Sequence, residues 1–276
     1  MNGGRVRIVS IAQNVPGPVA VSRLVGAGAT AIKIEPPWGD GLAALCRPWY
    51  DQLHSGVRVE RHDLKTGIGI AALKQRLAES DVFLASQRPA ALARLGLDRE
   101  SLAREFPRLR HVNIVGDTAN PEEPGHDLTY QARAGLLRNT MPLTLIADMV
   151  GAERAHAAIK DVMHEPGGSR VVGLYDGLRD LAAPLRHGLT APGGHLGGGN
   201  FSYRIYAARE GAIALGALEP HFRARLYEGL GISEGDDPSA VFLTKTATEW
   251  EQWAASRDLP LVAVRGQSPI FTLPQG

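Results

Sequence analysis

The chain has a single cysteine, Cys46, and no uninterrupted apolar run of the ~20 residues needed to cross a bilayer. One cysteine excludes an intramolecular disulfide and fits a reducing compartment, so Cys46 reads as a small buried hydrophobe rather than a nucleophile. Charge of one sign is also missing. With 30 Lys and Arg against 29 Asp and Glu and no basic block, nucleic acid and membrane surfaces lose ground as partners. Local arginines can still hold a phosphorylated ligand, because that needs local rather than net charge. Met1–Gly4 and Arg5 lead straight into a strand-like run, with no basic segment followed by an apolar one. Secretion is therefore not expected and the cytoplasm is. A G-x-S-x-G elbow is absent, which argues against a serine hydrolase. So are H-x-x-x-H and C-x-x-C spacings, and no metal is expected.

What is present is an alternation of β-branched runs and helical patterns. Val6–Ser10, Thr30–Ile34, Val57–Asp63, Asp81–Leu84 and His111–Val115 read as strands. Helical spacing lies between them at Val19–Val25, Gly69–Leu77 and Leu92–Phe106. Strands alternating with helices predict βαβ units, a mostly parallel sheet, and ligand loops at the carboxyl ends of the strands. From Asp127 the pattern changes. Leu128–Leu137 and Ala147–Met163 read as helices, and Val171–Ala183 as a strand end passing into a helix. Ala191–Asn200 is the richest glycine stretch and reads as a mobile loop at a domain boundary. The division expected is a large domain over 1–190 and a smaller one over 191–276. In the latter, Tyr203–Ala208 and Ala212–Leu215 pair as strands and Pro220–Leu230 forms a helix.

Several residues carry chemistry and a plainer reading side by side. Gly26-Ala27-Gly28 ends a helix and precedes a strand, the reverse of a dinucleotide fingerprint, and reads as a cap. Pro16-Gly17-Pro18 follows the first strand, where a ligand crevice forms, yet a proline there is also ordinary helix punctuation. Arg88 and Arg94 can hold phosphate by paired hydrogen bonds or lie on a solvated helix face. His126 has a tunable proton affinity near neutrality, and Asp127 beside it reads foremost as a helix N-cap. Asp148 interrupts an apolar run, as does Glu219 after the strand-like Ile213–Leu215. A carboxylate so placed caps a helix, pairs, or works.

Taken in order, these segments resemble the CaiB/BaiF family, the family III CoA-transferases, which includes the α-methylacyl-CoA racemases. The matching pieces are Pro16-Gly17-Pro18, Ala31–Pro37 with Gly39-Asp40, His62–Lys65, Arg88-Pro89 and Arg94–Leu97. They continue with Gly125–Leu128, Gly135-Leu136, Asp148, Gly193–Asn200 with Tyr203 and Tyr206, and Gly216–Phe222. The resemblance implies a Rossmann-like large domain with a smaller α+β domain, in an interlocked homodimer. It implies coenzyme A or acyl-CoA as ligand and a carboxylic acid as co-substrate, with Lys65 and Arg94 near the nucleotide end. In the transferases the aspartate at the position of Asp148 forms a mixed anhydride and then a thioester. In the racemases it is one acid/base facing a histidine at His126, with a glutamate at Glu219 in support. Transfer of CoA through Asp148 is the first expectation, racemisation the second, and a non-catalytic CoA-binding homologue the third. Two family segments are altered here, to His54-Ser55-Gly56-Val57 and to Ala85–Ala90.

Overall fold

A computed structural model describes residues 5–138 and 140–265; Met1–Gly4, read above as lacking a leader, lie outside them. The chain divides into two compact units, Met1–Ala182 and Ala183–Gly276, so the division falls ahead of the glycine-rich stretch.

The first unit runs β1 (Arg7–Ser10), α1 (Pro16–Gly26), β2 (Thr30–Glu35), α2 (Gly41–Leu45), α3 (Arg47–Leu53), β3 (Val57–Arg61), α4 (Gly67–Ala78) and β4 (Val82–Ala85). It continues α5 (Pro89–Arg94), α6 (Arg99–Glu105), β5 (Arg110–Val115), α7 (Asp127–Arg133), α8 (Ile146–Val162), β6 (Ser169–Gly173) and α9 (Leu174–Leu181). All six strands are parallel, in the order β3-β2-β1-β4-β5-β6. That is the doubly wound arrangement, in which the chain builds one half outward from β1 and then returns to build the other.

A parallel sheet must be covered on both faces, so its strands read as continuous apolar runs. In β4 every residue is buried: Val82 and Leu84 face one core with Ile8, Leu24, Ile159 and Val162, while Phe83 and Ala85 face the other with Leu73, Leu77, Leu92 and Leu97. Helices α1 and α8 pack on the first face and α4 to α6 on the second.

The helical stretch Leu92–Phe106 is two helices rather than one. Gly96 takes φ +66°, and Asp98 then starts α6 by accepting the N–H groups of Glu100 and Ser101 at 3.1 and 3.0 Å. Gly26-Ala27-Gly28 does cap α1: Ala27 N–H donates back to Arg23, and Gly28 turns at φ +100°. Helices α2 and α3, unsigned in the sequence pattern, are too short to establish a helical period.

The second unit holds α10 (Ala183–Arg186), β7 (Tyr203–Ala207), β8 (Ala212–Gly216), α11 (Pro220–Leu230), α12 (Ser239–Phe242), α13 (Ala247–Ala255) and β9 (Leu261–Ala263). Its three strands are antiparallel, and one face packs Tyr206, Ile213, Leu215 and Leu261 on Leu226, Phe242 and Trp250 from the helices. The glycine-rich stretch closes on itself as a tight turn at His195–Gly199, where Arg204 Nε donates to the Gly198 carbonyl at 2.8 Å. No helix among the described residues is long and apolar enough to cross a membrane.

His111, near the start of β5, is 6% exposed and stacks on Phe83 with ring centroids 5.3 Å apart. Neither ring nitrogen has a hydrogen-bond partner among the described residues. Burial, aided by the charge of Arg99, pulls its pKa down to about 4. The folded state thus favours the neutral ring, so stability is fully present above the ordinary histidine pKa and is lost as pH falls toward 4. The loss from this ring is expected to reach about 2 kcal/mol by pH 5. His111→Leu should remove that increment, measured as the change in urea unfolding free energy between pH 7.5 and 5.

Candidate active site

Where β1 and β4 lie side by side, the chain leaves the sheet in opposite directions, and a crevice opens at their carboxyl ends. A cavity of about 580 Å³ occupies it, built wholly from the first unit. Residues 13–16 after β1, Ser86 and Arg88 after β4, and 114–116 at the end of β5 form its floor. Leu42, Leu45, Cys46 and Trp49 form an apolar wall, and Pro121, residues 123–125, His126, Tyr130, Leu145, Asp148 and Leu174 complete it.

The floor is held by contacts distant in sequence. Gln13 N–H donates to Ser86 Oγ at 3.1 Å, and Gln87 Nε2 donates to the Ile11 carbonyl at 2.9 Å. Asn14 takes the left-handed conformation (φ 64°) and its N–H donates to the Asp40 carboxylate at 3.1 Å. Gly17 is required by a close approach: a Cβ there would stand 2.2 Å from Ala12 Cβ. Gly17 is thus buried behind the wall that Pro16 lines.

Asp40 is itself anchored by a buried cluster. Lys33 pairs with Asp40 and, at 3.2 Å, with Glu35; all three side chains are at most 3% exposed. Tyr50 hydroxyl donates to Glu35 at 2.8 Å. Lys33 Nζ also lies 3.0 Å from His54 Nε2, which as a partner of an ammonium must accept. His54 Nδ1–H then donates to the Tyr50 carbonyl at 2.6 Å. Burial and Lys33 hold His54 below its ordinary pKa, which keeps it neutral. The His54 that departs from the family pattern therefore works as an internal polar link.

Asp148 is the third residue of α8, whose N-cap Leu145 offers no side-chain acceptor. The cap comes from elsewhere: Asp127 Oδ1 accepts the Asp148 N–H at 3.0 Å. A helix N-terminus favours an anion, but burial and the Asp127 charge oppose it and win. The Asp148 carboxyl is pushed up to about 7. His126, not Asp127, occupies the N-cap of α7, exposed, with its N–H donating to Thr129 Oγ1 at 3.0 Å. The Tyr130 ring wedges behind it, for a Cβ at Gly116 or Gly125 would stand 2.0 or 2.4 Å from the Tyr130 hydroxyl.

Of the residues singled out in the sequence, the cavity brings together Asp148, His126, Arg88 and Pro16. Arg88 is exposed and makes no ion pair among the described residues. Arg94, exposed at the end of α5, and Lys65, exposed with Nζ 5.9 Å from the Trp38 ring centroid, do not line it. Glu219 belongs to the second unit, exposed ahead of Pro220. Cys46 differs from expectation: it is half-buried and lines the cavity, because α2 ends there and turns it inward with Trp49. Sequence reasoning missed Asn14, Tyr130 and the cap from Asp127 to α8. The pairing of Asp127 with Gln131 at i, i+4 was the one available local signal. No group of three His, Cys, Asp or Glu side chains among the described residues is set to hold a metal.

The chain is similar to several known proteins. The α-methylacyl-CoA racemase of Mus musculus is 29% identical over 287 residues, covering 90% of this chain and 73% of the racemase. The cinnamoyl-CoA:phenyllactate CoA-transferase of Clostridium sporogenes is 32% identical over 146 residues, 48% of this chain and 35% of the transferase. A hypothetical protein of Mycobacterium tuberculosis superposes with a TM-score of 0.82 at 22% identity, covering 98% of this chain and 85% of the other. A CaiB/BaiF family protein from Brucella suis shares the fold at a TM-score of 0.76 and 20% identity, over 98% of this chain and 85% of its own. The profile of CoA-transferase family III matches residues 4–163, more than half of the sequence and every element that lines the cavity except Leu174, and the chain belongs to that family.

Proposed function

We propose that this protein moves a proton at the α-carbon of a 2-methylacyl-CoA, inverting its configuration, with Asp148 and His126 as the acid/base pair. The observation that carries this reading is the Asp148 carboxyl, raised to about 7 by burial and by Asp127, in one cavity with an imidazole. A group half-protonated at neutrality gives and takes a proton with comparable ease, which suits a reaction run in both directions. The base takes the α-proton to leave an enolate, and the acid returns a proton to the opposite face. The reach of the racemase similarity along 90% of the chain, against 48% for the phenyllactate transferase, supports the same reading.

CoA transfer through an aspartyl thioester is the second reading, favoured by the position of Asp148 in the first turn of α8, where helix N–H groups support an attacking carboxylate. Against it, an attacking carboxylate must be ionised, and here burial and Asp127 oppose ionisation. For CoA itself we assign Arg88 at the cavity rim, with Lys65 and Arg94 toward the nucleotide end. Glu219 stays a supporting candidate in the second unit, and the proposed assembly is a homodimer.

Proton NMR of 2-methylacyl-CoA in D₂O tests the reading. Deuterium should enter the α-position with no free acid present, and His126→Ala and Asp148→Asn should each slow exchange by about 10²–10⁴-fold. A new thioester that forms only when a carboxylic acid is added, with no α-exchange, would overturn it in favour of transfer. The raised carboxyl also has a cost in stability. Its folded-state pKa lies above the ordinary aspartate value, so stability present below about pH 4 is lost as pH rises through about 7. Asp148→Asn should therefore raise the unfolding free energy by roughly 2–4 kcal/mol at pH 8 and leave it unchanged at pH 4.

A further inference from the structure

Asp127 is 4% exposed and sits between the starts of two helices. Its Oδ1 accepts the backbone N–H of Asp148 at 3.0 Å, and its Oδ2 accepts Gln131 Nε2 at 2.5 Å. Gln131 is 1% exposed, and the same Nε2 donates to the Thr144 carbonyl at 3.2 Å. That second contact fixes which way the Gln131 amide points. Turning it over would aim its oxygen at two acceptors, the Thr144 carbonyl and Asp127. The amide must therefore donate, and Asp127 must receive.

Both Asp127 oxygens are thus engaged as acceptors, and no hydrogen bond joins the carboxyl groups of Asp127 and Asp148 among the described residues. A proton placed on Asp127 would weaken a contact to Gln131 or to the α8 backbone. A proton placed on Asp148 weakens neither. The pair is therefore asymmetric by construction, unlike two equivalent carboxylates sharing one site.

We propose that Asp127 is a positioning residue, whose carboxylate pins the first turn of α8 and confines the proton of this acidic pair to Asp148. The proposal rests on the acid/base reading of the cavity. It has a structural corollary: His126 is the N-cap of α7, and the adjacent Asp127 caps α8, so one dipeptide sets both acid/base groups. Gln131 and Thr144 extend the same anchor to the segment entering α8.

Other ionisable groups share the cavity: His126, Arg88, Glu123, Cys46 and Tyr130. What raises Asp148 is its burial first and the charge of Asp127 second. Removing the charge of Asp127 while keeping its shape should therefore release the Asp148 proton at lower pH.

The test is a carbon-13 titration of the aspartate carboxyl signals in the substrate-free protein, with Asp148→Asn identifying the Asp148 signal. Asp127→Asn is expected to lower the Asp148 midpoint by about one pH unit or more, as removal of a close like charge does. The acid limb of kcat for α-proton exchange should move with it, while KM changes less than kcat. An unchanged Asp148 midpoint in a folded Asp127→Asn protein overturns the proposal. The titration needs no turnover, so a shifted midpoint without α-exchange would condemn the proposed reaction and leave the positioning role standing. Should Asp127→Asn fail to fold, the wild-type spectrum decides. The carboxyl that titrates near neutrality must vanish in Asp148→Asn, and its persistence there would place the proton elsewhere.

Discussion

The strands of the large sheet all run one way, and that constraint arranges everything else. Parallel strands deliver their carboxyl ends to one edge, so the loops after β1, β4 and β5 meet there despite their separation in sequence. Both faces of such a sheet must be covered, and α8 does double service in meeting that demand. Its buried stripe of Ala155, Ile159 and Val162 belongs to the packing under the sheet, while its first turn carries Asp148 to the cavity. The catalytic candidate is therefore fixed on an element that the core itself holds in place, which suits chemistry that tolerates little misplacement.

Two buried groups of charges lie near that edge and are treated in opposite ways. In the Lys33, Glu35, Asp40, Tyr50 and His54 cluster every partner satisfies another, and one cation stands among two carboxylates. Removing one member of such a group typically costs about 3–5 kcal/mol, because the remainder is left unpaired. Its product is rigidity: Asp40 holds the backbone of Asn14 and of Leu42 at the cavity floor and wall. Asp127 and Asp148 form the other group, with two carboxyls and, among the described residues, no cation paired with either. There the electrostatic cost is not relieved but expressed as a displaced proton affinity at Asp148.

Much of the fold was legible in the residues because parallel strands announce themselves as β-branched runs. The five strands read in the first half all exist, and Val171–Ala183 does pass from a strand into a helix. The failures share a physical cause, which is that local pattern cannot see distant partners. Asp127 was read as the cap of its own helix, as a carboxylate before an apolar stretch should be. It caps α8 instead, a choice set by how α7 and α8 pack. Cys46 was assigned to the core by residue type, but the short α2 turns it to the cavity. Helix α12 and strand β9 are too short to leave a signal and owe their form to packing around Phe242 and Trp250, whereas α13 was overlooked although Thr246 and Glu249 form a capping box at its start. Asp148 and His126 stand out individually in the residue pattern, and the family resemblance pairs them; the sheet order is what brings them into one cavity.

That same sheet order is the one used to hold dinucleotides, and the difference between the two uses lies in the first turn of α1. A dinucleotide fold places glycines there so that backbone N–H groups reach a pyrophosphate. Here Pro16 and Pro18 occupy that turn, and each lacks an N–H. The N–H of Val19 is already bonded to Val15. The helix end that would bind phosphate keeps the N–H of buried Gly17 but loses two donors to proline, and through Val15 and Pro16 it becomes part of an apolar wall with Leu42 and Trp49. Polar function is displaced to the opposite side of the crevice, to the starts of α7 and α8. An acyl thioester, with an apolar chain and one carbonyl to polarise, matches such a division better than a nucleotide does. The prolines thus turn the start of α1 from an anion cradle into a largely apolar part of the cavity wall.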